Sequence, residues 1–393
     1  MPNQLSSEFH IACQRPQRKY HLINFLRGKG IAMIVGRFVL PAALFLLFFV
    51  ETAAADFANA HERLTFFSKN AAYRTAWCPE RRPSKFTTSH ITQPFKTASG
   101  NDMPPAVFMN ELGRTNSHLL RTGSRAEAGQ VANLLVAAAQ ARAFEKQGLY
   151  DGFKIDAAWW QANILLNLSL VYGTLNALLD KDDPRLAVIR DWGNRLASAA
   201  GAVGGFEKMF GKEGHAARAA GLLAWGAETG NRKAFKKGEK DLAFLAKQMR
   251  PNAPLAGTFD NPRNKRPASR QLAYTFMTYG YMVIAMDASR RGGGKGFKHK
   301  SRETDIHTAL FWLTQSSLSP RNAVGLSGPQ ETFFWTTKST RYHNLAWAEV
   351  YIRNFPNTEA GVSLRKVLTN RRGRGAFAGW YGGNLTCALG PGS

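Results

Sequence analysis

From Arg125 to Asn370 the chain is a succession of segments in which apolar residues return every three or four positions, with few segments in which they alternate. That texture restricts the fold to packed helices. Residues 125–147 are rich in Ala, Leu, Gln and Glu at helical spacing, and 156–179 continue with Trp159, Ile164, Leu165, Leu168, Val171, Tyr172 and Leu175. Asp156 suits the cap of that helix, and Pro184 opens the next, through Ile189, Trp192 and Leu196. Further helices are predicted over 215–229, 232–249, 267–290, 301–316, 340–354 and 358–370, with Gly230 and Asn231 as a C-terminal stop. Such segments, joined by short connections, form antiparallel helix pairs. The class is all-α. The boundaries read as an N-terminal extension with a signal segment (1–55), an irregular arm (56–124) holding one short helix near Phe57–Tyr73, and a helical domain (125–393). The run from Arg290 to Lys295 reads as a basic glycine loop.

Residues 33–55 carry the three parts of a secretory signal. Arg27, Lys29 and Arg37 give a positive flank, Phe38 to Val50 is an apolar run of 13 residues, and Ala53-Ala54-Ala55 offers a cleavage site before Asp56. The run is short for a bilayer span of about 20 residues, although an uncleaved anchor stays open. Met33 gives an internal start just ahead of it. A periplasmic or secreted protein is expected, touching membrane only through this segment.

The net charge is +25, from 52 basic against 27 acidic side chains. Cleavage after Ala55 removes six Lys/Arg and two Asp/Glu and leaves +21. Such an excess favours acidic partners. Outside the cytoplasm it points to an anionic polysaccharide rather than nucleic acid. Cys78 and Cys387 remain after cleavage, and in an oxidising compartment they can form one bridge, though sequence does not show that they meet. No histidine spacing suits a metal, so no metal or cofactor is expected. Nothing suggests a coiled coil, and a monomer is expected.

Chemistry concentrates in Arg263-Asn264-Lys265-Arg266-Pro267-Ala268-Ser269-Arg270-Gln271-Leu272-Ala273-Tyr274. Pro267 suits a first helical turn, and Arg270 and Tyr274 are then four apart on one face, with Tyr281 two turns on. A guanidinium beside a phenol favours the tyrosinate. Cations ahead of a helix N-terminus attract carboxylates. A cation cluster leading into a tyrosine suits removal of a proton next to a carboxylate. The same spacing also suits a solvated basic loop ahead of core aromatics. His215 stands near the start of an Ala-rich helix, after Glu213 and Gly214, where a capping or core histidine is the ordinary alternative.

The order of three pieces resembles the alginate lyase family of bacterial periplasmic poly-mannuronate lyases. These carry Asn-Asn-His at the start of a Gly/Ala-rich helix, then Arg-x-x-Arg-Ala-Leu-x-Tyr-His, then a Trp-containing helix and a Gly-Gly tail. Here His215 begins the Ala-rich helix, Arg270-Gln271-Leu272-Ala273-Tyr274 is similar to the second piece, and Leu345-Ala346-Trp347 through Asn357, with Gly382-Gly383, to the third. The resemblance spans roughly 125–386. It implies an incomplete α/α toroid and β-elimination at a uronate unit without an obligatory metal. It further implies Tyr274 as base or acid, His215 as its partner, Arg266 serving the carboxylate and Arg270 binding the polymer; the loop cations Arg263 and Lys265 are expected to bind it too. Gly214 and Glu213 stand where the family has asparagines, Pro267 where it has an arginine, and Thr275 where it has a histidine. These departures keep a second reading open, a non-catalytic binder of anionic polysaccharide on the same fold.

Overall fold

Pairs of helices that differ in how their polar residues are distributed build the molecule. The computed structural model describes residues 57–78, 104–145, 154–202, 206–252, 255, 268–320, 325–326, 328–330, 345–370 and 377–390. The signal segment and the cation loop 263–266 lie outside the described residues.

Two short helices, α1 (Ala60–Lys69) and α2 (Ala71–Trp77), precede α3 (Pro104–Thr122) and α4 (Arg125–Gln140). Gly123, in the left-handed region at φ 63°, ends α3, and the Ser124 hydroxyl then caps α4 by accepting from the Glu127 amide at 3.2 Å. The series continues with α5 (Lys154–Leu178), α6 (Pro184–Ala202), α7 (Phe206–Thr229, kinked at Gly211), α8 (Arg232–Ala246) and α9 (Gln271–Arg291). Then come α10 (Ile306–Leu318), α11 (Ala348–Asn354) and α12 (Glu359–Asn370). The chain closes with a hairpin of β1 (Phe377–Ala378) and β2 (Gly383–Asn384), followed by α13 (Leu385–Leu389).

Burial separates these helices into two sets. Residues 161–175 of α5, 213–228 of α7 and 278–289 of α9 are buried without interruption. By contrast, α6 buries Leu186, Ile189, Trp192, Gly193, Leu196, Ala197 and Ala200, and α8 buries a stripe from Ala234 to Ala246. Helices touched on every side keep no polar stripe, while those covering them keep one. Hence α5, α7 and α9 form an inner layer and α4, α6 and α8 an outer one. Helices α5 and α7 run the same way: they meet at Ala162 against Gly221, and again further along both at Gly173 against Glu228. A side chain at Gly221 would run into the Ala162 carbonyl, so this crossing requires glycine.

Three sequence expectations are corrected. The arm 56–124 is not irregular where described: α3 is a 19-residue helix packed on α5. Its periodicity is hidden because Glu111, Thr115, Asn116 and Ser117 are buried polar residues. Asn116 Oδ1, for example, accepts from the Thr174 hydroxyl at 2.6 Å. Second, Arg290 and Arg291 belong to the last turn of α9 rather than to a loop. With Arg353 of α11 they surround the buried Asp287 carboxylate at 2.9, 3.0 and 2.6 Å. Third, the helix expected from 301 starts at Ile306, where Asp305 accepts from the Thr308 amide. Gly230 ends α7 as expected, at φ 72°, while Asn231 caps α8 instead.

Cys78 and Cys387 are bridged, with Cα atoms 4.9 Å apart across 309 residues of sequence. Around the bridge, Arg63 donates to the Cys387 carbonyl, Arg121 to the Cys78 carbonyl and Asn384 to the Trp77 carbonyl. The N-terminal helices and the C-terminal tail are thus one unit, which holds the hairpin against the inner layer.

Candidate active site

The hairpin Phe377–Asn384 sits where α3, α5 and α9 converge. Gly113 of α3 and Gly383 pack backbone to backbone, so neither tolerates a side chain. The Asn167 amide of α5 donates to the Gly379 carbonyl at 2.6 Å. The Tyr381 hydroxyl donates to the Met277 carbonyl of α9 at 3.3 Å, and its ring meets Tyr281 edge-on at 4.9 Å. Tyr281 in turn donates to Asn163 Oδ1 of α5 at 2.8 Å. Beside this assembly lies a cleft of about 350 Å³ lined by Val107, Asn110, Glu111 and Arg114 of α3, and by Phe377 through Trp380.

On α9 three tyrosines differ in access. Tyr279 and Tyr281 are fully buried, whereas Tyr274, three residues before Met277, is half-buried. Burial pushes the Tyr279 and Tyr281 phenols up, and for Tyr281 the nearby Tyr381 and Glu213 add to it. Tyr381 is raised for the same reasons, burial first and Glu213 second. These sealed phenols stay neutral and serve as structure. Tyr274 is the α9 phenol that keeps some exposure.

His215 follows the Gly211 kink of α7 and lies inside the protein. It is 2 % exposed, stacked on Phe244 at 4.9 Å, with Nε2 3.0 Å from Asp241 Oδ1 of α8. Arg218, one turn on, holds the same carboxylate at 2.7 and 3.1 Å, and Lys237 reaches it at 3.2 Å. Burial alone would raise the Asp241 carboxyl, but the His215 bond and the Arg218 charge outweigh it and hold it at about 2. Nε2 also lies 3.3 Å from Arg218, and one nitrogen cannot donate to Asp241 and accept from Arg218 at once. The shorter contact makes it a donor to Asp241.

Of the residues singled out from sequence, His215 and Tyr274 fall on adjacent inner helices, α7 and α9. Arg270 is exposed, at the end of the single 3-10 turn Ala268–Arg270 that leads into α9. Arg263, Lys265 and Arg266 lie outside the described residues. Sequence reasoning missed Asn167, Glu111 and Arg114, which approach the hairpin from α5 and α3, and Asn163, which holds Tyr281. It also missed Asp241, which anchors His215. The signal available was Gly382-Gly383, whose positive φ values of 95° and 89° mark the turn on which these groups converge. Among the described residues, no cluster of His, Cys, Asp or Glu suits a metal ion, and no helix is long and apolar enough to cross a membrane.

No family model matches the sequence, and no curated protein matches it. Solved structures do. Alginate lyase A1-III from Sphingomonas species A1 superposes with a TM-score of 0.64 at 16% identity, covering 85% of this chain and 95% of that one. A tyrosine-to-phenylalanine variant of alginate lyase A1-III complexed with tetrasaccharide gives the same values. A histidine-to-alanine variant, also complexed with tetrasaccharide, gives 0.62 at 15% identity over 85% and 94%. The chain has the α/α toroid fold of these lyases, which its sequence resemblance implied.

Proposed function

We propose that this protein is an exported polysaccharide lyase that cleaves a uronate-containing polymer such as alginate by β-elimination. The observation that carries the reading is Tyr274. On a lyase fold, it is the α9 phenol left half-buried while Tyr279 and Tyr281 are sealed.

The chemistry has three requirements. The C5 proton of a uronate is barely acidic while its carboxylate keeps full charge, so cations must neutralise the enediolate that develops. A base takes the C5 proton, the electron pair of that bond becomes the C4–C5 double bond, and the C4–O bond breaks. An acid then protonates the departing glycosidic oxygen. Tyr274 is assigned proton transfer, as base or acid, and His215 is its partner, oriented by Asp241. Arg266, Arg263, Lys265 and Arg270 are assigned the carboxylates of the polymer. The surplus of basic over acidic side chains draws that polymer in. Export follows from the signal segment at 33–55, with Asp56 the first residue of the mature chain.

One observation favours a second reading, a non-catalytic binder of anionic polysaccharide. His215 is walled in by Asp241, Arg218 and Phe244, with its side chain only 3 % exposed. The deciding experiment incubates the protein with a panel of acidic polysaccharides and follows the ultraviolet absorbance of unsaturated uronate, with Tyr274→Phe alongside. A rise that the variant lacks supports the lyase. Salt-sensitive binding with no rise on any polymer supports the binder.

A further inference from the structure

We propose that the cleft between α3 and the hairpin is a subsite for an uncharged sugar unit, one that donates hydroxyl or amide hydrogen bonds. The polymer taken by this chain then interleaves neutral units with its uronates. The inference rests on the glycan-binding reading above and narrows its substrate class.

The argument starts from Glu111. Val107, Asn110, Glu111 and Arg114 lie three and four apart, so one stripe of α3 faces the hairpin. Glu111 is 3 % exposed. Its Oε1 accepts from Arg114 at 2.5 Å, while its Oε2 is buried and has no hydrogen-bond partner among the described residues. A buried carboxylate oxygen without a donor is costly, and such groups mark places where something else supplies the hydrogen. The Arg114 charge does not make the cleft a carboxylate site, because its pairing with Glu111 leaves no net positive charge there. A uronate placed here would face an acceptor with another acceptor, at low dielectric. A second buried carboxylate, Glu213, is near enough for its charge to bear on Tyr281 and on Tyr381 of the hairpin. A hydroxyl or an amide N–H meets the need of Oε2, and a neutral ring brings no repulsion. Phe377 and Trp380 line the same cleft, which gives it the aromatic lining suited to the C–H side of a pyranose, with the Arg114 guanidinium 5.8 Å from the Phe377 ring centroid. The volume of about 350 Å³ lies in the range of small-ligand sites. Discrimination then comes from a repulsive group as much as from attractive ones.

The test measures binding of two tetrasaccharides by calorimetry, on wild type and Glu111→Gln. One is polymannuronate, with every unit charged. The other is from hyaluronan, which alternates glucuronate with N-acetylglucosamine. Wild type is expected to prefer the alternating tetrasaccharide by about tenfold, and Glu111→Gln to narrow that gap from both sides. Circular dichroism checks the fold of the variant, and should it not fold, the wild-type preference alone decides. Equal or tighter binding of polymannuronate by wild type, or binding of neither, overturns the proposal. So does a folded Glu111→Gln that leaves the preference unchanged. Ultraviolet absorbance of the same mixtures separates the two readings. Preference for the alternating sugar without unsaturated product sinks the lyase and keeps the subsite. Turnover and tighter binding of polymannuronate keep the lyase and sink the subsite.

Discussion

His215 Nε2 lies 3.0 Å from Asp241 Oδ1, with both side chains buried, so the histidine singled out in the sequence takes its orientation from a carboxylate on the neighbouring outer helix. Arg218 makes two bonds to the same group. Replacing Asp241 by Asn leaves Arg218 buried without its counter-charge. We expect a loss of about 3 kcal/mol in urea unfolding. In the lyase reading kcat falls with KM little changed, because the imidazole loses the acceptor that fixes its ring. A variant that keeps full stability would refute the buried ion pair.

In the lyase reading, Tyr274 belongs to catalysis and Tyr281 to architecture. Tyr274→Phe is expected to lower lyase activity by about 10²–10⁴-fold while leaving the melting temperature near wild type. Tyr281→Phe removes the donor to buried Asn163 Oδ1 and is expected to cost about 1–3 kcal/mol. Thermal unfolding beside the ultraviolet assay reads both. The reverse pattern would move proton transfer away from Tyr274.

Asp287 makes stability depend on acid. Burial raises its carboxyl, but Arg353, Arg291 and Arg290 outweigh that and hold it at about 2. An unfolded aspartate titrates near ~3.9. A depressed folded pKa gives stability that is fully present above the unfolded value and is lost as pH falls through the folded one. Between about pH 4 and pH 2 the protein should lose about 2 kcal/mol through Asp287. Asp241 is held at about 2 and adds to the same window. Urea midpoints at several pH values test this, and Asp287→Asn should flatten part of the slope. A midpoint that does not move across the window would contradict the assignment.

The bridge between Cys78 and Cys387 closes a loop of 309 residues. Cross-links over long loops remove the most entropy from the unfolded chain, and replacing both cysteines by Ser is expected to cost about 4 kcal/mol. Guanidinium unfolding with and without reductant measures it. Because the bridge also anchors the tail behind the hairpin, polysaccharide binding should weaken in the same variant. Unchanged unfolding after reduction would show that Arg63, Arg121 and Asn384 hold the tail by themselves.

The sequence by itself determined the class of fold and the order of most helices. Those features are local. Periodicity at Trp159–Leu175, the Pro184 start and the Gly230 stop depend on residues within a turn or two of each other. The inner helices were legible because their burial leaves long apolar runs. Helix α3 was not, since its buried face is polar: Ser117 bonds the Gly113 carbonyl one turn back, Glu111 pairs with Arg114, and Asn116 is satisfied by Thr174, far away in the chain. The pairing of Cys78 with Cys387 likewise needed the toroid to bring the ends of the chain together. Only tertiary structure decided that Asp241 holds His215, that Asn163 seals Tyr281, and that the hairpin at Gly382-Gly383 joins α3, α5 and α9. Each of these joins residues from separate helices. A side chain's partner across such a distance is set by how the helices pack, which no local spacing encodes.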